Sequence, residues 1–139
     1  KYTENSPHRS EDVSNPFSYY ERFQMIQGAL LESGISIYDF DIVPFPINYP
    51  ELIFSYTPQN AKYYMTIYDK WGEEKREILE KIGCTVEVMW KRDISQKIIS
   101  GTDVRRRIKE GKTWRQFVPP SVYKYIKAHE LDKKIIGGE

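Results

Sequence analysis

The residues best suited to chemistry form one short run, residues 99–105 (ISGTDVR), at the expected start of a helix. Free backbone N–H groups at a helix start attract an anion, and the helix dipole adds to this attraction. Ser100 and Thr102 add hydroxyl donors, and Gly101 lets the backbone approach a ligand closely. Arg105, one turn further on, can hydrogen-bond two oxygens of one phosphate. The run predicts a phosphate-binding site; a plain capped surface helix stays open as the alternative.

The local charge favours the phosphate interpretation. From Lys91 to Lys112 there are eight Lys or Arg residues against three acidic ones, although the net charge of the whole chain is only +1. The positive field is therefore local. A module that binds nucleic acid through Lys97 and residues 105–112 is an alternative, but the near-neutral chain and the absence of a complete recognition motif count against it.

Composition excludes several other classes of protein. A chain of 139 residues that is 40% hydrophobic fits one globular domain and has no run of apolar residues long enough to span a membrane. The single cysteine, Cys84, excludes an intrachain disulfide, and the two histidines, His8 and His129, are far apart, so we expect no protein metal site. With no leader peptide in the sequence, the expected setting is cytoplasmic.

The elements that must position the run alternate between helices and strands. Residues 1–16 are polar and predict a loop or arm, and residues 17–139 predict the folded domain. Ser18 and Glu21 have the spacing of a capping box at the start of the first helix. The order predicted is helix 19–33, strand 39–45, a short helix over 50–56, strand 63–68, helix 73–82, strand 84–90 and helices 100–109 and 119–129, followed by a frayed tail. Such alternation predicts an α/β fold with a parallel sheet, flanking helices and C-terminal helices.

Two residues after the second predicted strand are further candidates for ligand contact. Asp69 follows that strand directly, where ligand sites of α/β folds form, and could accept a hydrogen bond from a ribose hydroxyl. Trp71 could stack against a base or a nicotinamide ring. A turn aspartate and a tryptophan packed on its own helix are the structural alternatives.

Two segments carry a resemblance to a known family. The first is residues 100–108 (SGTDVRRRI), together with Gly111, Trp114 and Val118-Pro119. The second is residues 15–18 (NPFS), followed by Glu21-Arg22. Both segments resemble the nicotinamide-nucleotide adenylyltransferases, especially the archaeal type. These enzymes belong to the cytidylyltransferase-like nucleotidyltransferases, which have a Rossmann-like fold. The resemblance extends from Asn15 to Ile126.

The resemblance implies adenylyl transfer from ATP, accompanied by Mg²⁺, to a mononucleotide such as NMN, with release of pyrophosphate. It places Ser100, Gly101, Thr102 and Arg105 on the ATP phosphates, with Thr102 and Arg105 as catalytic residues. Arg22 is expected near the phosphorylated acceptor, and Asp69 and Trp71 are the other acceptor candidates. The family often forms oligomers, so a homo-oligomer is open, and neither a membrane nor a nucleic acid is an expected partner.

The sequence departs from the family pattern in two places. The family's His-x-Gly-His signature does not occur in these residues, and the sheet is short of strands, so we expect a strand–helix–strand unit with these histidines upstream of Lys1. Where the archaeal enzymes have Gly-Asn-Pro, this chain has residues 68–72 (YDKWG), and residues 48–58 lack a clear counterpart of the tryptophan that stacks nicotinamide. A nucleotide-binding regulatory protein without catalysis is therefore a further alternative.

Overall fold

The computed structural model describes residues 15–137, which divide into two compact units. One contains residues 15–42 and 99–137, and the other contains residues 43–98. The predicted polar arm, including His8, lies outside the described residues apart from Asn15 and Pro16. The regular elements are α1 (Tyr19–Glu32), β1 (Lys62–Ile67), α2 (Lys70–Lys81), β2 (Thr85–Lys91), α3 (Gly101–Lys109), α4 (Pro120–Ala128) and α5 (Leu131–Gly137), with 3₁₀ turns at Pro50–Ser55, Ile94–Gln96 and Arg115–Phe117.

The first unit consists of four helices around one apolar cluster. The expected capping box at the start of α1 is confirmed, because Ser18 accepts from the Glu21 N–H and Glu21 accepts from the Ser18 N–H. The prediction of a frayed C-terminal tail is wrong. Leu131 and Ile135, four residues apart on one face of α5, are 4% and 3% exposed and hold that helix on the cluster. The buried members of the cluster are Met25, Ile108, Trp114, Ile126, Leu131 and Ile135.

The second unit is built on a parallel pair of strands joined by α2, as the α/β interpretation requires. Ile53 and Ile67 are fully buried, and Cys84 is a buried free thiol, as expected for a small apolar residue at a strand start. Met65 pairs with Val88 but the next residue of β1 pairs with Trp90, so the register shifts by one residue in β2.

The sequence overstated the number of strands. Residues 39–45 do not form a strand, and the sheet described here has two strands, β1 and β2. Pro44 has no N–H group to donate to a neighbouring strand, which disfavours strand pairing in this segment. Helix α2 begins three residues earlier than predicted, because Asp69 caps it and residues 70–72 form its first turn.

None of the helices between Asn15 and Gly137 has both the length and the apolar run that a membrane crossing requires.

Candidate functional site

The predicted phosphate-binding run begins helix α3, with Ser100 as the N-cap in an extended conformation. The Ser100 hydroxyl accepts from the Asp103 N–H at 3.1 Å and donates to the Asp103 carboxylate at 2.6 Å. The Ser100 N–H donates to the same carboxylate at 3.0 Å. Ser100 is therefore engaged in a capping box, and its predicted contact with a phosphate would require this hydroxyl to exchange its partner.

The cap leaves two donors at the helix start. The Asp103 N–H bonds the Ser100 side chain and the Val104 N–H bonds the Ser100 carbonyl. Helix geometry provides no internal partner for the N–H groups before them, those of Gly101 and Thr102. These two groups carry the positive end of the helix dipole, so the backbone arrangement suits an anion.

Arg105 lies across this same end of α3. Its Nη2 donates to the Thr102 hydroxyl at 3.1 Å, and its Nη1 would lie only 3.2 Å from a Cβ atom added at Gly101. A side chain at position 101 would thus crowd the guanidinium. Burial lowers the pKa of Arg105, but an arginine still stays protonated at neutral pH. The structure brings Gly101, Thr102 and Arg105 together as a donor-rich cluster, which we call the α3 cradle.

The neighbouring arginines have other partners. Arg106 forms an ion pair with Asp103 at 2.9 Å. The Arg107 Nε donates to the Thr113 carbonyl at 2.7 Å, and its guanidinium lies 4.9 Å from the centre of the Phe117 ring. Of the three arginines, Arg105 is the one whose guanidinium bonds the Thr102 hydroxyl, whereas Arg106 is paired with the Asp103 carboxylate and Arg107 with the Thr113 carbonyl.

The acceptor candidates show structural roles. The Asp69 carboxylate caps α2 by accepting from the Gly72 N–H at 2.8 Å. Trp71 is 9% exposed, with the Lys75 ammonium 5.9 Å from its ring centre. Arg22 is an exposed residue of α1. Contact of any of the three with an acceptor stays a prediction.

The sequence pointed to one side of a groove in the second unit, through Asp69 at the end of a strand, but missed the side that follows β2. The groove has a volume of about 620 Å³ and lies at the carboxyl ends of β1 and β2, where Ile67 and Lys91 line it. This is the edge of a parallel sheet where α/β folds bind ligands. Tyr68, Asp69, Lys70 and Arg92 also line the groove. The basic pair Lys91-Arg92 at the end of β2 was the available signal, but the sequence analysis counted it only as part of a local positive field.

No metal cluster is present in residues 15–137: nowhere do three His, Cys, Asp or Glu side chains come together in the required way. The α3 cradle offers N–H, hydroxyl and guanidinium donors. Such a donor set suits phosphate oxygens and not a cation.

Comparison with known proteins places these features in a family. The chain is 43% identical over 129 residues to phosphonoformate cytidylyltransferase from Streptomyces viridochromogenes, an alignment covering 93% of this chain and 69% of that protein. It is 32% identical over 125 residues to nicotinamide-nucleotide adenylyltransferase from Pyrococcus furiosus, covering 88% of this chain and 64% of the relative. The enzyme of the same name from Picrophilus torridus is 31% identical over 118 residues, covering 84% and 67%. No protein-family model matches the chain.

The chain belongs to the cytidylyltransferase-like nucleotidyltransferases, and the α/β architecture with a parallel sheet agrees with the Rossmann-like fold expected of them. It spans about two thirds of the length of the curated relatives it matches.

Proposed function

We propose that the protein transfers a nucleotidyl group from a nucleoside triphosphate to a small phosphorylated or phosphonate acceptor. An acceptor oxygen attacks the α-phosphorus, the bond from the α-phosphorus to the bridging oxygen breaks, and pyrophosphate leaves with that electron pair. The protein has to hold the two phosphate groups in line and neutralise the developing charge. The observation that supports this proposal is the α3 cradle in a chain of nucleotidyltransferase ancestry.

The residues of the cradle divide this work. The N–H groups of Gly101 and Thr102 would bind phosphate oxygens of the triphosphate, and the Arg105 guanidinium would neutralise charge as pyrophosphate departs. Mg²⁺ would enter bound to the triphosphate oxygens and water, which is its usual coordination in such sites. Ser100 would act mainly by fixing the helix start.

The first candidate for the donor is CTP. The chain is 43% identical to phosphonoformate cytidylyltransferase over the aligned residues. It is 28–32% identical to the nicotinamide-nucleotide adenylyltransferases compared with it. Residues 68–72 (YDKWG) also depart from the turn expected of the archaeal adenylyltransferases. Both points support cytidylyl transfer to a small acceptor over the adenylyl transfer inferred from the sequence.

Adenylyl transfer from ATP to NMN is the second candidate. It is supported by residues 15–18 (NPFS) and Glu21-Arg22, which resemble the adenylyltransferase segment, and by alignments that cover 84–88% of the chain. In this alternative Arg22 would contact the acceptor.

A pyrophosphate-release screen tests the proposal. The protein containing this chain is incubated with Mg²⁺ and either CTP or ATP, each combined with phosphonoformate or NMN. Release that requires both CTP and phosphonoformate is the expected result. Faster release with ATP and NMN would select the second candidate. Triphosphate binding without pyrophosphate release in any combination would contradict the proposal and favour a regulatory nucleotide-binding protein.

A further inference from the structure

The loop between α3 and α4 forms a pocket in the first unit that the proposed chemistry does not use. It has a volume of about 580 Å³, which is within the usual range for pockets that bind small molecules. No carboxylate of the described residues lines it. The lining residues are Thr113, Arg115, Gln116, Val118 and Pro120. This pocket, which we call the α4 pocket, therefore combines hydrogen-bond donors, a positive charge and an apolar wall.

The α4 pocket lies away from the α3 cradle, although both belong to the same unit. The cradle is at the first turn of α3, whereas the pocket is lined from Thr113 onwards, after the helix has ended at Glu110. Helix α3 has nine residues, so about 13 Å separate its ends. A molecule in the α4 pocket is therefore an additional ligand and not the triphosphate that the cradle is proposed to bind.

Arg115 is a cation without an acidic partner. In the described part of the chain its guanidinium pairs with no carboxylate and lies 5.5 Å from the centre of the Tyr123 ring. The Tyr123 ring packs on Trp114, with 4.7 Å between the ring centres, and Trp114 belongs to the buried cluster of this unit. A cation–π contact uses none of the guanidinium N–H donors. Arg115 is thus held against the core and keeps its donors for an anion.

The polar side chains beside Arg115 offer further donors. The Gln116 amide donates to the Thr113 hydroxyl at 3.2 Å. This bond uses neither the hydrogen of that hydroxyl nor the second amide hydrogen of Gln116. The Thr113 carbonyl accepts from the Arg107 Nε at 2.7 Å, which ties the loop to α3. The donors are therefore in place before a ligand arrives.

The charge of this part of the chain is one-sided. From Arg105 to Lys127 there are eight Lys or Arg residues and one acidic residue, Glu110. Glu110 pairs with Lys112 at 2.6 Å, and the hydrogen bond from Lys112 lowers the pKa of this carboxyl. The acidic group is thus already neutralised by a neighbour, and the remaining cations produce a positive field around the loop.

Helix α4 supplies a second unpaired cation. Lys124 is exposed, lies one turn after Pro120 on the same face of the helix, and has no carboxylate partner within residues 15–137. Glu32, the carboxylate at the start of α4, already serves as a cap, because it accepts from the Ser121 N–H at 2.9 Å. A phosphate group carries nearly two negative charges at neutral pH, so this pair of cations suits it better than a carboxylate.

We propose that the α4 pocket binds a small organic phosphate. Arg115 binds the phosphate group, and the Thr113 hydroxyl and the Gln116 amide donate further hydrogen bonds to it. Val118 and Pro120 pack against the uncharged part of the ligand, and Lys124 adds positive charge at the rim. The proposal is independent of the nucleotidyl transfer, because it uses neither the α3 cradle nor a substrate of that reaction.

Backbone ¹H–¹⁵N spectra of the protein that contains this chain, recorded without nucleotide, test the site. Phenyl phosphate is the probe, because it joins a phosphate group to an apolar ring. Inorganic phosphate has the group alone, and benzyl alcohol has the ring alone. We expect phenyl phosphate to shift the Thr113 and Gln116 signals saturably, inorganic phosphate to shift them more weakly, and benzyl alcohol to leave them unchanged. The Gly101 and Thr102 signals report binding at the α3 cradle.

Three variants isolate the charge in the pocket. Arg115→Gln should raise the phenyl phosphate Kd by roughly tenfold to a hundredfold, as for a lost charge-assisted contact. Gln116→Glu, a nearly isosteric change at an exposed position, places a negative charge in the pocket and should abolish binding while the spectrum stays that of a folded protein. Arg106→Gln is the matched control. It removes the same charge from the same basic stretch, but Arg106 is paired with Asp103 at 2.9 Å, so the Kd should stay unchanged.

The outcomes decide between a specific pocket and its alternatives. Saturable shifts that are lost in Arg115→Gln and Gln116→Glu and kept in Arg106→Gln support the site. Shifts that persist in Arg115→Gln, or that increase without saturation, overturn it and indicate a diffuse basic surface. Shifts confined to Gly101 and Thr102 also overturn it, because they assign the probe to the cradle. Tighter binding of single-stranded RNA than of phenyl phosphate at the same signals would overturn it in favour of a nucleic-acid surface.

Discussion

Replacing Arg105 with glutamine should weaken triphosphate binding far more than it weakens the fold. Within residues 15–137 the half-buried Arg105 guanidinium makes one hydrogen bond, to the Thr102 hydroxyl, and such a bond contributes about 1 kcal/mol to stability. A charge-assisted contact with a phosphate contributes about 1.5–3 kcal/mol to binding, so the KM for the triphosphate should rise roughly 10- to 150-fold. Pyrophosphate release at varied CTP and ATP measures this change, and urea unfolding measures stability.

The adjacent arginines provide matched controls. Arg106→Gln removes a surface ion pair with Asp103, which is worth at most about 1 kcal/mol, and should leave the triphosphate KM nearly unchanged. Arg107→Gln removes the bond to the Thr113 carbonyl and the contact with Phe117, so it should lower stability by about 1–2 kcal/mol without a comparable effect on KM. Equal KM increases in all three variants would refute the cradle and indicate a diffuse basic surface. A normal KM in Arg105→Gln would refute it directly.

Two further predictions concern the supports of the first unit. Ser100→Ala should lower the free energy of unfolding by about 0.5–2 kcal/mol, because the α3 cap is lost, whereas Ser100→Thr should keep most of it; equal urea midpoints for the two variants would contradict the capping role. The hydrogen bond from Lys134 lowers the pKa of Glu21, so the stabilisation is present above the unfolded value of about 4.3 and is lost as the pH falls through the folded pKa. Glu21→Gln should therefore flatten the pH dependence of urea stability in acid, and an unchanged slope would refute this linkage.

Helices α1 and α3 and their ends could be predicted from the sequence because local residues determine them, whereas the start of α2 and the whole of α5 were not predicted. Ser18 with Glu21, Gly111 after α3 and the apolar spacing in α1 all act within a few residues of one another. Gly111 has a φ of +65°, a conformation that glycine adopts at low cost, which is why it ends the helix. The start of α3 was predictable for the same reason.

Strand assignment and the groove depend on partners distant in sequence. Residues 39–45 have the apolar character of a strand, but a strand needs a neighbour to accept its hydrogen bonds, and local composition does not supply one. The register shift before Trp90 likewise arises from pairing with β1. Periodicity along β2 alone therefore could not indicate that the Trp90 indole N–H donates to the Tyr68 hydroxyl, or that the Arg92 guanidinium lies over the Trp90 ring.

The start of α3 shows why a capping motif and an anion site are difficult to separate by sequence. Ser100 and Asp103 satisfy each other, and Asp103 is also paired with Arg106, so the carboxylate nearest the helix start has its charge partly balanced. The same bonds hold the first turn in place and leave the N–H groups of Gly101 and Thr102 available to a ligand. Capping and anion binding therefore use the same helix turn in different ways. The cap fixes the backbone, and the fixed backbone together with Arg105 presents the donors. The two sets of variants distinguish these roles, because the Ser100 variants should act mainly on the free energy of unfolding and the Arg105 variant mainly on the triphosphate KM.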